Sequence, residues 1–295
     1  MRRASVPTTE FCEALLQGAS KYETESAEPS CSRAPPGAMN PATMTKRWTG
    51  SAVSEAALLL VLTIMGSAQA AEPQCMFPNE IIDLGHPLHR MSRPLSTGGP
   101  LTIVALGSSS TAGAGASKPE ASYPTRLREH LSLLLGRRVI VVNRGRNGDR
   151  VGDMLFRVPT EVIPEHPDVV IWQLGTNALL TDLDRKDFGS LFSRGVRDIT
   201  DTGADLIVMD PQFAPKVLAH RRAEEFVRLI DDAALQAGAA LFRRFELMRF
   251  WHDNNLGFEQ FLSPDQLHMN DWSYRCLADA LAYAIVRSLV PKRRQ

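Results

Sequence analysis

From residue 101 onward, apolar runs of strand length alternate with amphipathic segments, and this alternation restricts the fold more than any other feature of the chain. "LTIVAL" (101–106), "VIVVN" (139–143), "DVVIWQLG" (168–175), "DLIVMD" (205–210) and "AALFRRF" (239–245) read as buried strands. Helical patterns fill the gaps, at 123–136, 151–164, 187–203, 218–238 and 272–290. The first of these has Pro124 in its opening turn and Gly136 at its close, the usual punctuation of a helix. Near-continuous apolar strands separated by helices imply a parallel sheet covered on both faces. The expected fold class is therefore α/β, a three-layer α/β/α sandwich on a five-stranded parallel sheet. Such sheets bind ligands beyond the carboxyl ends of their strands, so the residues just after each strand carry the functional information.

With 295 residues the chain has material for one large core. Lys plus Arg and Asp plus Glu are balanced at 33 each, so no global field favours nucleic acid or an anionic membrane. The first seventy residues look different. From Met44 the chain has a basic head (Lys46, Arg47), an apolar run to Met65 and the small-residue site Ala68-Gln69-Ala70, the layout of a secretory signal peptide. The apolar stretch is short for a bilayer span, so cleavage is expected rather than anchoring, and the mature protein is expected to be periplasmic or secreted. The resulting organisation is an upstream extension at 1–43, disordered or lying ahead of the true translation start at Met39 or Met44, then a signal peptide at 44–70. An N-terminal extension follows at 71–100, a catalytic domain at 101–290 and a basic tail at 291–295. Cys75 and Cys276 remain after cleavage, and an oxidising compartment would let them pair; two free buried thiols are the alternative.

Chemistry gathers where an α/β sheet places its site. After the first strand comes Gly107-Ser108-Ser109-Ser110-Thr111, and after the second "NRGRNGDR", with Asn143, Gly145, Asn147 and Gly148. After the third comes Gly175-Thr176-Asn177, and before the last helix "SPDQLH", with Asp265 and His268. A serine hydroxyl is a poor nucleophile until a base takes its proton, and imidazole is suited to that near neutral pH. A carboxylate bonded to the other ring nitrogen selects the correct tautomer, and a three-residue spacing lets one loop orient both groups. The oxyanion of a tetrahedral intermediate then needs aimed donors, each typically worth roughly 3 to 4 kcal/mol. Taken singly, each element has an ordinary reading as a turn or helix cap. Their succession at consecutive strand ends points to one site.

In these four blocks the chain resembles the SGNH hydrolases, the GDSL-like lipase and acylhydrolase superfamily, over about residues 101–290. The resemblance implies a flavodoxin-like sandwich and serine esterase activity with no cofactor or metal. It makes Ser109 the nucleophile, Asp265 the acid and His268 the base, with oxyanion donors at Ser109, Gly148 and Asn177. Where the family usually has Gly-Asp-Ser-Leu, this chain has Gly107-Ser108-Ser109-Ser110. The aspartate of that signature is not the triad acid, so Ser108→Asp is expected to be tolerated, and Ser110 or Thr111 to cap the following helix. The expected partner is a small-molecule or carbohydrate ester, with short acyl groups such as O-acetyl favoured by the lack of a long insert between blocks. Neither nucleic acid nor a stable membrane span is expected.

Other site classes fit less well. No lysine follows Gly113 or Gly115 as a P-loop requires, and Lys118 stands where a dinucleotide fingerprint needs its third glycine. An α/β-hydrolase elbow would need glycine at Thr111. Pro87 between His86 and His89 breaks the helical spacing that would join them with Asp83 around a metal. Two alternatives stay open within the same fold: an O-acyltransferase using the same triad, and a non-catalytic carbohydrate- or lipid-binding module.

Overall fold

The computed structural model describes residues 72–181 and 187–289. The leader read at 44–70, the stretch before it and the basic tail lie outside the described residues.

Five parallel strands form one sheet: β1 (Leu101–Gly107), β2 (Val139–Gly145), β3 (Val169–Gln173), β4 (Asp205–Met209) and β5 (Ala240–Phe242). Their spatial order is β2-β1-β3-β4-β5. β1 and β3 are buried on nearly every residue because both lie inside the sheet, which is why they read as unbroken apolar runs. The chain leaves β1 toward β2 on one side and returns to β3 on the other. The switch point between β1 and β3 is where such a sheet opens a crevice for a ligand.

Helices cover both faces. α1 (Ser92–Thr97) precedes the sheet, and the short α2 (Ser109–Ala112) follows β1 directly. α3 (Tyr123–Leu135) closes on left-handed Gly136 as the sequence indicates. α4 (Val151–Arg157) continues into a π-turn over Val158–Val162 and a 3-10 turn over Ile163–Glu165, so the 151–164 pattern is not one regular helix. α5 (Thr176–Thr181), α6 (Phe188–Thr200), α7 (Pro215–Leu218) and α8 (Ala223–Gln236) follow. α9 (Arg244–Asp253), α10 (Phe258–Phe261) and α11 (Asp271–Ser288) end the described chain. α3 packs beside α11 on one face, and α4 and α8 flank α6 on the other. Trp172 is the reason α6 lies close: it stacks on Phe192 at 5.6 Å, and a side chain at Gly195 would collide with its ring.

Two boundaries differ from the sequence reading. The fifth strand stops at Phe242, because Arg244 and Phe245 turn back into a helix over Asp210: Phe245 N–H donates to Asp210 Oδ1 at 2.9 Å. The described part of the 71–100 extension is packed as part of the domain. Cys75 and Cys276 are joined by a disulfide. Trp272 Nε1 donates to Pro73 O at 2.7 Å and Trp251 Nε1 to Met76 O at 2.8 Å. Leu84 O accepts from Leu241 N at 3.0 Å, which covers the outer edge of β5.

Candidate active site

The nucleophile turn is built at the end of β1. Gly107 has no room for a side chain, since a Cβ would overlap Thr111 Oγ1 and Gln173 Oε1. Ser109 then opens α2, where the N–H of a first helical residue has no intrahelical acceptor. Gln173, at the end of β3, holds the turn from below. Its Oε1 accepts Ser108 N–H at 3.0 Å, Ser108 Oγ–H at 3.1 Å and Thr111 Oγ1–H at 3.1 Å. Because a main-chain N–H can only donate, the atom facing Ser108 N has to be the amide oxygen. Thr111 Oγ1 also lies 3.2 Å from Tyr123 OH, whose pKa burial pushes up to about 12. With the threonine proton committed to Gln173, the phenol is the donor in that pair.

This arrangement revises two expectations. Ser110 sits inside α2, and no side chain caps the helix; the Thr111 hydroxyl is engaged with Gln173 instead. Ser108 is 2% exposed and faces an amide oxygen, so a carboxylate there would be buried against an acceptor. Substitution by Asp is therefore expected to be costly in this chain.

The base comes from the loop before α11. Asp265 Oδ1 accepts Leu267 N–H at 2.9 Å, His268 N–H at 2.9 Å and Ser263 Oγ–H at 2.7 Å, and its Oδ2 lies 2.5 Å from His268 Nδ1. Partial burial alone would raise this carboxyl, but the bonds from the His268 ring and main chain, Ser263 and Leu267 outweigh it and hold its pKa well below the usual carboxylate range. An ionised Asp265 keeps the proton on Nδ1, which leaves Nε2 as an acceptor 2.7 Å from Ser109 Oγ. Gln266 takes a left-handed conformation (φ +58°) to close the turn. Gly115, from the glycine-rich stretch after the serines, lies directly against the loop: a side chain there would overlap Met269 O and His268 Cβ. That stretch serves close backbone packing.

Two of the expected oxyanion donors, Gly148 and Asn177, lie at a second loop. Gly148 is exposed in a left-handed turn (φ +82°). Its neighbour Asp149 is anchored by Arg157, which is 4% exposed and donates Nε–H at 2.9 Å and Nη2–H at 2.5 Å to Asp149 Oδ2. Nη1 of the same side chain reaches Arg144 O at 3.1 Å and Glu161 Oε2 at 2.8 Å. Asn177 Nδ2 donates one hydrogen to Asp149 O at 2.8 Å, and its amide has a second to offer. Asn143 Nδ2 donates to Thr111 O at 2.8 Å, tying the end of β2 to α2. Thus Ser109, His268 and Asp265 meet through direct bonds, and Asn177 meets the Gly148-Asp149 turn. Among the described residues, no cluster of three or more His, Cys, Asp or Glu side chains could hold a metal ion.

Sequence reasoning missed Gln173 and Arg157. Gln173 was visible only as a polar residue in an otherwise apolar strand, and Arg157 only as one arginine among several.

Residues 74–290 match the model of the Non-GDSL lipase-like family. An arylesterase of Vibrio mimicus is 27% identical over 170 residues, covering 58% of this chain and 81% of the relative. A two-domain esterase active on acetylated mannans superposes with a TM-score of 0.59 at 20% identity, covering 72% of this chain and 56% of that one. This chain thus spans little more than half the length of that esterase. The lipase/acylhydrolase from Enterococcus faecalis gives a TM-score of 0.52 at 22% identity, over 66% of this chain and 100% of the other. These structures share the sheet and its flanking helices with the present fold.

Proposed function

The chain belongs to the Non-GDSL lipase-like family, and from that membership we propose that it is an exported serine esterase cleaving short-chain carboxylic esters, O-acetyl groups on carbohydrate among them. The single observation that carries the mechanism is the unbroken chain from Ser109 Oγ through His268 to Asp265. His268 Nε2 takes the hydroxyl proton as Ser109 Oγ attacks the ester carbonyl carbon. Asp265 stabilises the imidazolium that forms, and its firmly ionised state suits that role. The tetrahedral oxyanion is received by the N–H groups of Ser109 and Gly148 and the free hydrogen of the Asn177 amide. Collapse breaks the bond to the alcohol oxygen, which leaves with the proton from His268. A water then gives its proton to His268, attacks the acyl-enzyme and releases the acid with Ser109 restored.

Ester cleavage is supported by the named activity of the arylesterase relative, and the acyl preference by that of the acetylated-mannan esterase. Export is supported by the Cys75–Cys276 disulfide, since such bonds persist in oxidising compartments. The test is a panel of p-nitrophenyl esters and acetylated sugars, with a fluorophosphonate probe and Ser109→Ala as control. Turnover and labelling that vanish in the variant are expected; full activity in it would sink the mechanism. Labelling without turnover on water, restored by a sugar acceptor, would assign acyl transfer instead.

A further inference from the structure

Gln212 lies three residues beyond the end of β4 and is 1% exposed. Its Oε1 accepts Thr176 Oγ1–H at 2.8 Å and Arg244 Nη2–H at 3.0 Å, and its Nε2 donates to Leu267 O at 3.2 Å. Thr176 immediately precedes Asn177, and Leu267 immediately precedes His268. One buried amide therefore joins the segment carrying the side-chain oxyanion donor to the segment carrying the base.

Arg244 determines which way that amide points. A guanidinium has no acceptor, so the atom facing Nη2 has to be the oxygen, and the NH2 group is thereby directed at Leu267 O. Arg244 is fully buried and cannot swing away, because its Nε also donates to Asp210 O at 3.0 Å. Asp265 cannot supply this anchoring. It sits on the same loop as His268 and orients the ring, but moves wherever the loop moves.

We propose that Gln212, oriented by Arg244, is a positioning residue that sets His268 relative to Asn177, so that base and oxyanion donor address one acyl carbon. This rests on the reading of Ser109, His268 and Asp265 given above. The positions of reacting groups matter steeply: a displacement of about 1 Å can cost on the order of a hundredfold in rate.

Gln212→Glu isolates the bond to the base loop, because a carboxylate still accepts from Thr176 and Arg244 but has nothing to donate to Leu267 O. In the purified protein, with p-nitrophenyl acetate as substrate and active sites counted by fluorophosphonate, kcat should fall about tenfold or more while KM stays within about twofold. Thr176→Val cuts the network from the other side with little change of shape and should lower kcat in the same manner, which decides the matter if the glutamate variant folds poorly. Wild-type kcat per labelled site in Thr176→Val and in any folded Gln212→Glu, whatever their melting temperatures, would overturn the proposal. Undiminished activity in Ser109→Ala would instead remove the site reading on which it rests.

Discussion

Ser108 and Gln173 are 65 residues apart in sequence, yet the main-chain N–H and the hydroxyl of the first both end on the side-chain oxygen of the second. The turn that presents Ser109 is thereby fastened to the centre of the sheet. This explains how a chain without the usual Gly-Asp-Ser-Leu signature still holds a serine at the end of β1. A neutral hydroxyl at 108 is matched to an amide acceptor on β3.

Restoring the usual aspartate should therefore harm this protein. Ser108→Asp buries a carboxylate against an amide oxygen and should destabilise by about 3 kcal/mol at pH 7.5. The introduced carboxyl would have its folded-state pKa raised, so its ionisation stabilises the unfolded chain more than the folded one. The loss grows as pH rises through the titration and shrinks below about pH 4, where the acid can donate to Gln173. Denaturant melts at the two pH values check this; equal stability to wild type at pH 7.5 would contradict it.

Arg157 should matter to rate as well as stability. Arg157→Met strands Asp149 and leaves Glu161 paired only with Arg146, and should cost about 3 kcal/mol. Release of the Asp149 loop should also lower kcat by about tenfold through Gly148 and Asn177. Arg157→Lys should not rescue either effect, because an ammonium cannot span Asp149, Arg144 O and Glu161 together. Chemical denaturation and kinetics on p-nitrophenyl acetate measure both.

Asp231 offers a stabilising change. Burial, reinforced by Glu246 and Asp232 and opposed by Arg243, pushes its pKa up to about 6. A raised carboxyl contributes stability that is complete below the unfolded value near 3.9 and lost as pH rises through about 6. Asp231→Asn should therefore gain on the order of 1 kcal/mol at pH 7.5, the figure being reduced for partial exposure, and next to nothing at pH 4. It also relieves Asp210, whose buried carboxyl Asp231 raises further. Thermal melts at the two pH values decide it: an equal gain at both would show that charge is not the cause.

The disulfide should carry measurable stability. Cys75 and Cys276 lie 201 positions apart, and the bond pins the N-terminal segment that also covers the edge of β5. Replacing both cysteines by serine should cost about 3 kcal/mol. Reduction of the wild type should reproduce the loss, and identical denaturation midpoints with and without reductant would contradict it.

The sheet and the outline of the site were readable in the sequence because both are written in local terms. Buried parallel strands show as apolar runs such as 101–106 and 168–173, and a functional turn shows as Ser, Gly, Asn or His immediately after one. Boundaries were less legible where a tertiary bond competes with propensity. "LFRRF" continues a strand pattern, but Asp210 captures Phe245 N–H and starts α9 early.

Sequence by itself determined the α/β class and the parallel sheet, since periodicity and turn chemistry act over a few residues, and its resemblance to the SGNH hydrolases singled out Ser109, Asp265 and His268 as the candidate trio. Only the tertiary structure decided that Ser109 and His268, 159 positions apart, stand within 2.7 Å, and which buried polar side chains serve them. Gln173 and Arg157 carry no local signature, and Gln212 shows in the sequence only as part of a turn at the end of the fourth strand, a place that could line the pocket. A buried amide or guanidinium is held by partners from distant strands and loops, and its orientation follows from which donor or acceptor the fold brings to it.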